Sequence, residues 1–289
     1  IKIFENLIYN AFEGIYLNHD QYGDPVRDIL IEKNKIFAID NEDNFINTST
    51  IKEDEAQMGT FNSNYFIRPF GNDFGFMTKY LNQQTWEMKS HLSNIKWWNK
   101  DQNGKKSPIN HPEIKSYTSV GGNLFANGKF DSNSNNSFCN NCSVQWKNSG
   151  AFNNGHISIS SNKGGELNFS LEKSKPETSY LLKFKIKGNK PGYLEIFMRE
   201  GQTPWRTISN SKGIEISEQV TEIQLPIKSR IQTNKLNLIF KSGLDNLVYA
   251  IDDFEIVEAN ISYSSPEEYL FFEYNATSSS QKFPLSGVY

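Results

Sequence analysis

The chain has 289 residues, 37% of them hydrophobic, which is enough to bury a sizeable core and predicts two domains. Its net charge of −3 gives no basis for electrostatic binding of nucleic acid, and no apolar run approaches the roughly 20 residues that span a bilayer. Asn, Ser and Gly are abundant and aromatic residues reach 13%, a composition that favours strands joined by turns over long helices.

Three asparagines recur in the same short frame within residues 1 to 70. Asn6, Asn34 and Asn64 each lie between apolar residues, and the steps between them are 28 and 30 residues. A repeat of this length, with apolar residues alternating around a polar one, is typical of stacked solenoid coils. We expect inward Ile and Phe side chains to stack between coils, and the asparagines to form a ladder of paired amides.

Residues 1–4 already form an apolar strand pattern, without the atypical cap that ends a solenoid. We therefore expect the chain to be the C-terminal part of a longer protein. The polar cluster His19, Asp20, Arg27 and Asp28 between the first two coils is more typical of a solvated loop than of a catalytic site. No convincing catalytic set is present, and we expect any catalytic residues on coils that precede residue 1.

From residue 71 onward the repeat degrades. Residues 85–92 have helical spacing, and Thr85 is a plausible N-cap. Trp97 and Trp98 follow, and then a polar stretch over residues 99–106. We expect a short amphipathic helix and a loop that together close the open end of the solenoid.

The only cysteines, Cys139 and Cys142, lie in a stretch rich in Asn and Ser. Zinc would need two more ligands, and the four histidines are scattered without ligand spacing. A thioredoxin-like redox pair belongs where a strand enters a helix, which this stretch does not resemble. A disulfide that staples an exposed turn and two free thiols remain as alternatives. We adopt the disulfide, which implies export from the cell.

Residues 121–260 carry strands with a period of two and turns at regular spacing. The clearest strand patterns lie at 179–186, 192–199 and 235–240. Alternation of this kind is typical of a β-sandwich.

The two ends of this sandwich region carry motifs of a known group. The opening residues 123–131, NLFANGKFD, and the closing residues 250–256, AIDDFEI, resemble the jelly-roll carbohydrate-binding modules that accompany polysaccharide-degrading enzymes. The resemblance implies a polysaccharide ligand held by aromatic rings and polar side chains. The candidate binding residues are Trp205, Arg206, Trp146, Tyr193 and Arg199. In similar jelly rolls, acidic residues at the positions of Asp131 and Asp252 help to hold a structural calcium ion.

A second resemblance concerns the solenoid. Residues 65–70, 85–87 and 101–108 resemble the tail of right-handed parallel β-helix proteins of the pectate-lyase-like superfamily, with Gly104 where that group carries a serine-like residue. Residues 271–277 and 285–289 resemble the short C-terminal β-module of the same proteins. The resemblance implies a lyase or a glycosidase.

We therefore predict an all-β chain: the last rungs and cap of a right-handed parallel β-helix (1–120), a carbohydrate-binding jelly-roll sandwich (121–260) and the start of a C-terminal β-module (261–289). The predicted function is polysaccharide binding by the C-terminal portion of a secreted or cell-surface enzyme. The alternative is a non-catalytic adhesin or scaffold that belongs to a larger surface assembly.

Overall fold

We analysed the fold in a computed structural model. It describes residues 1–11, 13–19, 24–38, 44–50, 57–69, 78–81, 88–91, 101–106, 112–152, 154–265, 268–269 and 276–284. The regular structure of these residues is almost entirely β-strand, so the prediction of an all-β chain is confirmed. None of the described residues forms a helix that is long and apolar enough to cross a membrane.

The first eleven strands of the described residues are short and form three sheets. Their bounds are β1 Lys2–Phe4, β2 Leu7–Tyr9, β3 Glu13–His19, β4 Ile29–Glu32, β5 Lys35–Phe37, β6 Asn44–Thr50, β7 Gly59–Asn62, β8 Tyr65–Ile67, β9 Thr78–Leu81, β10 Met88–His91 and β11 Lys105–Lys106. The strand orders are β1-β4-β7, β2-β5-β8-β11 and β3-β6-β9-β10. Every pair except β9-β10 is parallel. We call β1–β3, β4–β6 and β7–β9 the first, second and third coils.

Apolar side chains in register fill the space between the three sheets. One row runs through Ile3, Ile31 and Phe61, and a second row contains Ile36 and Phe66. Because parallel pairing repeats the same inward position in every coil, each side chain packs on its equivalent in the next coil. Ile31, Ile36, Phe61 and Phe66 belong to one buried cluster, and the partly buried Ile3 packs against it, as the apolar frame in the sequence predicts.

The asparagine ladder is present, and an aspartate ends it. The Asn6 amide donates to Asn34 Oδ1 at 2.9 Å, and the Asn34 amide donates to Asn64 Oδ1 at 2.8 Å. The Asn64 amide then donates to Asp101 Oδ2 at 2.5 Å. Asn34, Asn64 and Asp101 are all buried. A carboxylate has only acceptors to offer, so Asp101 terminates the series of donors.

The prediction of a short helix over residues 85–92 is wrong in its described part. Met88–His91 is a β-strand that pairs antiparallel with Thr78–Leu81. Helical spacing over only eight residues is a weak signal, and pairing with a neighbouring strand overrides local propensity. Thr85, Trp97 and Trp98 lie outside the described residues.

The remaining nine strands form one large antiparallel sheet that folds into a sandwich. Their bounds are β12 Ile114–Val120, β13 Ser137–Lys147, β14 His156–Leu171, β15 Thr178–Gly188, β16 Gly192–Glu200, β17 Lys212–Ile216, β18 Thr221–Ser229, β19 Leu236–Ser242 and β20 Leu247–Tyr263. The first half of β14 pairs with β20 and its second half pairs with β19. This double pairing creates a first layer, β17-β16-β19-β14, and a second layer, β14-β20-β15-β18. Side chains from both layers form one buried core.

The two sequence motifs at the ends of the sandwich contact each other. Asn123 Oδ1 accepts hydrogen bonds from the backbone N–H groups of Phe125 and Ile256, at 3.1 and 3.0 Å. Gly128 lies against the carbonyl of Phe254, where a Cβ atom would overlap it. Strand β12 also pairs with the end of β20, so the antiparallel sheet runs from Ile114 to Tyr263, beyond the predicted limits of 121 and 260.

We expect Asn64→Leu to destabilise the coils. Leucine removes the amide that donates to Asp101 and leaves the buried backbone N–H and amide of Asn34 without their acceptor, which should lower the local free energy of opening by about 3 kcal/mol. Hydrogen exchange of the amides in β5 and β8 measures this quantity. Asn6→Leu, at the exposed end of the same ladder, is the matched control and should cost less than about 1 kcal/mol. Equal losses in the two variants would contradict the buried ladder.

Two buried tyrosines of the sandwich should respond oppositely to loss of their hydroxyl groups. Tyr249 is 1% exposed, and its hydroxyl has no hydrogen-bond partner among the described residues. Tyr180 is 2% exposed, and its hydroxyl accepts the Lys175 N–H at 3.2 Å. We expect Tyr249→Phe to stabilise the sandwich by about 1 kcal/mol and Tyr180→Phe to destabilise it by about the same amount. Thermal unfolding of the two variants checks this difference in sign.

Candidate functional site

The side of the first layer that faces away from the core carries a concentration of polar and aromatic side chains. Along β16, Leu194, Ile196 and Met198 belong to the buried core, so the alternate residues lie on the opposite side. The cross-strand register extends this surface over β19, β14 and β13. We call it the outer face; it consists of Tyr193, Glu195, Phe197, Arg199, Asn237, Ile239, Lys241, Glu166, Asn168, Phe138 and Asn140.

Tyr193 lies at one end of the outer face, over a glycine. The ring occupies the space that a Cβ atom on Gly243 would fill. The backbones of the two residues are also joined, because the Gly243 N–H donates to the Tyr193 carbonyl at 3.2 Å. Only glycine leaves room for an aromatic ring directly above the backbone at this position, just after the end of β19. The ring is therefore held against the sheet, and it remains partly accessible to solvent.

Arg199 lies toward the other end of β16 and is bound to two neighbouring residues of β14. Its guanidinium donates to both carboxylate oxygens of Glu166, at 2.8 and 3.3 Å, and to Asn168 Oδ1 at 3.5 Å. Both charged side chains of the ion pair are mostly buried. A two-point contact of this kind fixes the plane of the guanidinium as well as its position.

Glu195 lies between these two ends, directly across from Lys241. The Ser211 hydroxyl donates to Glu195 Oε1 at 2.7 Å. Burial raises the pKa of the Glu195 carboxyl, while the Ser211 bond and the Lys241 charge act in the opposite direction. Across the sheet the charges alternate from Glu195 to Lys241 to Glu166, so the outer face presents both signs of charge within a short distance.

The middle of the outer face is closed to solvent. Phe197, Ile239 and Asn168 are buried although they point away from the core. Tyr193 and Arg199 keep accessible surface. A ligand would therefore meet the aromatic ring and the charged groups rather than an open apolar trough.

Trp205 is on the loop that follows β16. It is 52% exposed and adopts a left-handed backbone conformation with φ of 62°. The next residue, Arg206, donates two side-chain hydrogen bonds to Glu200, at 3.0 and 2.8 Å. The Arg206 bond lowers the pKa of the Glu200 carboxyl. Further along this loop, Thr207 forms an antiparallel β-bridge with Arg199 of β16. This bridge places Trp205 near the Arg199 end of the outer face.

Trp146, another predicted binding residue, is placed differently. Its side chain packs against the sandwich core, and its indole N–H donates to the Phe130 carbonyl at 2.6 Å. A buried indole needs such a partner, so this placement favours a structural role for Trp146.

Cys139 and Cys142 form a disulfide, but in a strand rather than in the exposed turn that we expected. They flank a β-bulge in β13, opposite the point where β14 passes from one layer to the other. Both cysteines pack partly against the core.

The predicted calcium ligands differ in exposure. Asp252 is 2% exposed, and its Oδ1 accepts the Asp253 N–H at 2.7 Å. Burial raises the pKa of the Asp252 carboxyl. Asp131 is exposed. Calcium takes six to eight oxygens, and the described residues contain no group of three or more His, Cys, Asp or Glu placed to hold a metal. Two carboxylates alone do not make such a site, so calcium binding stays a prediction.

The polar cluster near the first two coils is only partly described. The Arg27 guanidinium donates to the neighbouring Val26 carbonyl at 2.7 Å, and Asp28 is exposed. Asp20 and the side chain of His19 lie outside the described residues.

The sequence did not single out Glu166, Glu195, Asn168 or Gly243. Charged and amide residues at alternate positions of a strand look like an ordinary solvated face, and Gly243 looks like a turn residue. The signal that could have found them is their cross-strand register with Tyr193 and Arg199, which depends on strand pairing distant in sequence.

No protein family's sequence profile matches the chain, and no curated protein matches it. Similar solved structures include the N-terminal cellulose-binding domain of Cellulomonas fimi β-1,4-glucanase C, with 10% identity over 46% of this chain and 94% of that domain and a TM-score of 0.38. A carbohydrate-binding module, TmCBM61 in complex with β-1,4-galactotriose, has 16% identity over 47% of this chain and 98% of that module, with a TM-score of 0.34.

The enzymatically active domain of bacteriophage CBA120 tailspike protein 4 has 11% identity over 89% of this chain, with a TM-score of 0.39. This chain spans 38% of that domain. All of these identities and TM-scores are low, so the likeness assigns no function to this chain.

We expect Gly243→Ala to displace the ring of Tyr193. The added methyl group needs space that the ring now fills, and such overpacking typically costs about 1–3 kcal/mol. The ring resonances of Tyr193 in a selectively labelled sample should shift. Gly122→Ala is the control, because a Cβ atom at Gly122 meets nothing within 4 Å. Unchanged Tyr193 resonances in Gly243→Ala would contradict the placement of the ring.

Proposed function

We propose that this chain binds a polysaccharide through the outer face of the sandwich. The observation that carries the proposal is the placement of Tyr193 over Gly243, on the same sheet face as the Arg199–Glu166 ion pair. An aromatic ring held against a sheet offers a flat apolar surface for the face of a sugar ring. Fixed charged groups elsewhere on the same face offer hydrogen bonds to hydroxyl groups.

The dimensions of the outer face fit an oligosaccharide segment better than a single sugar. Tyr193 and Arg199 are six residues apart on one strand, which corresponds to about 20 Å at the usual rise of a β-strand. Trp205 adds a second exposed aromatic side chain near the Arg199 end. Contacts at both ends would require several linked sugars.

The carbohydrate-binding sandwich is, in this proposal, part of an exported polysaccharide-active protein. The three coils are the last rungs of a right-handed parallel β-helix, and the predicted C-terminal β-module begins after Tyr263, where the last strand of the sandwich ends. The parallel register of the coils and the asparagine ladder support the β-helix. The Cys139–Cys142 disulfide supports export, because disulfides persist in oxidising compartments. A calcium ion near Asp131 and Asp252 would need backbone carbonyls as further ligands.

Affinity gel electrophoresis against a panel of neutral and acidic polysaccharides tests the proposal. We expect retention of the wild-type chain by at least one polysaccharide. Tyr193→Ala should then weaken binding about tenfold or more, which corresponds to about 1.4 kcal/mol. Trp205→Ala should weaken it as well. Tyr117→Ala, an exposed tyrosine on β12 of the second layer, is the matched control and should leave binding unchanged.

Two results would contradict the proposal. The first is a wild-type chain that no polysaccharide in the panel retains. The second is a chain whose binding falls in Tyr117→Ala and stays unchanged in Tyr193→Ala, because this would place the site on the other layer.

A further inference from the structure

Phe138 is an aromatic side chain of the outer face that the proposed function has not used. It is 41% exposed, and its ring contacts no other ring in the described part of the chain. Cys139 packs against the core, so its neighbours Phe138 and Asn140 project from the outer side of β13. Single exposed rings are common on protein surfaces, so the groups around Phe138 decide what it can bind.

The ion pair of the outer face lies beside Phe138. The cross-strand register places Phe138 opposite Asn168, and residues directly opposite each other have Cβ atoms about 5 Å apart. Arg199 extends from β16 past β19 and bonds to Asn168 and to Glu166 on β14. The guanidinium therefore lies at the β14 side of the face, next to the strand that carries Phe138.

Hydrogen-bonding groups remain available around this ring. The Arg199 guanidinium makes three hydrogen bonds through its terminal nitrogens, which leaves one hydrogen of Nη1 for a ligand. Asn140 is exposed, and its amide bonds to no described residue. A flat apolar ring with a donor and an amide beside it suits a sugar, which has an apolar face and a rim of hydroxyl groups. We call the following set the edge cluster: Phe138, Asn140, Arg199 and Glu166.

The disulfide fixes the strand segment that carries the edge cluster. Among the described strands, β13 pairs only with β14, so its other side is an open edge. The Cys139–Cys142 bond encloses the β-bulge, where Asn141 adopts a left-handed conformation with φ of 56°. Phe138 directly precedes this covalent loop. A ligand that binds a side chain on a pre-ordered strand has less conformational entropy to remove.

The edge cluster is not in line with the other two exposed aromatic residues of the proposed site. Tyr193 is on β16, and Trp205 is on the loop that follows β16. Phe138 is three strands away, with β19 and β14 between, which corresponds to about 14 Å at the usual strand spacing. A single sugar chain that runs along β16 therefore does not reach Phe138.

We propose that the edge cluster is a second sugar-binding subsite and that it holds a side branch of the polysaccharide. The backbone of the polymer lies along β16, and the branch crosses β19 and β14 to stack on Phe138. The ligand is accordingly a branched polysaccharide rather than a linear one. This inference rests on the proposed binding of a polysaccharide by the outer face.

The test compares branched and linear polymers with the same backbone. The pairs are galactomannan and linear mannan, arabinoxylan and linear xylan, and xyloglucan and hydroxyethylcellulose, each used in affinity gel electrophoresis. We expect the wild-type chain to bind the branched member of one pair about fivefold more tightly, a difference that one aromatic contact can supply. Phe138→Ala should remove this advantage and leave the affinity for the linear member unchanged.

Two variants separate this inference from the proposed function. Tyr193→Ala should weaken binding of both members of the pair, and Tyr117→Ala on the second layer should weaken neither. If Tyr193→Ala weakens binding and Phe138→Ala has no effect, the subsite is wrong and the proposed function stands. Equal retention of both members in every pair, or an equal loss for both in Phe138→Ala, overturns the branch. Retention by no polymer overturns both proposals.

Removal of the disulfide is a second measurement. In a variant with both Cys139→Ser and Cys142→Ser, we expect the preference for the branched polymer to fall at least twofold, because the segment before the bulge loses its covalent restraint. The affinity for the linear polymer should remain, and it shows that the sandwich is folded. A preference equal to that of the wild-type chain would overturn the role of the disulfide in positioning Phe138.

Discussion

The double pairing of β14 is the constraint on which the sandwich depends. One half of this strand pairs with β20 in the second layer, and the other half pairs with β19 in the first. The passage between layers brings Glu166 and Asn168 beside β19, within reach of Arg199 on β16. The outer face exists because one strand belongs to both layers, and the Cys139–Cys142 disulfide spans the bulge in β13 at this passage.

The coils and the sandwich bury polar side chains in different ways. In the coils, buried amides pair with identical amides one repeat away, and only the last position needs a different residue, Asp101. In the sandwich no repeat exists, and most buried polar groups take an individual partner, as Arg199 has Glu166, while the Tyr249 hydroxyl has none among the described residues. Buried polar groups without partners are costly, so both arrangements restrict which residues each position accepts.

The local parts of the fold could be predicted from the sequence, and the parts that depend on distant pairing could not. The spacing of Asn6, Asn34 and Asn64 predicted the ladder, because the period of a repeat also determines which residues of neighbouring coils align. The period-two alternation of apolar and polar residues predicted the sandwich. The strand Met88–His91 was missed because β9, rather than its own four residues, determines its structure. Trp146 packs against the core and Trp205 is exposed. Tertiary packing causes this difference, and the residues next to each tryptophan in the sequence do not reveal it.

The contact between Tyr193 and Gly243 has a consequence for related chains. Two positions that are fifty residues apart form one unit, in which the ring and the missing side chain require each other. In any homologue with the same sheet, a larger residue at the position of Gly243 fills the space that the ring occupies, whatever aromatic residue aligns with Tyr193. The glycine is therefore the better marker for recognising which relatives keep this surface, and an alignment that scores aromatic residues alone would overlook it.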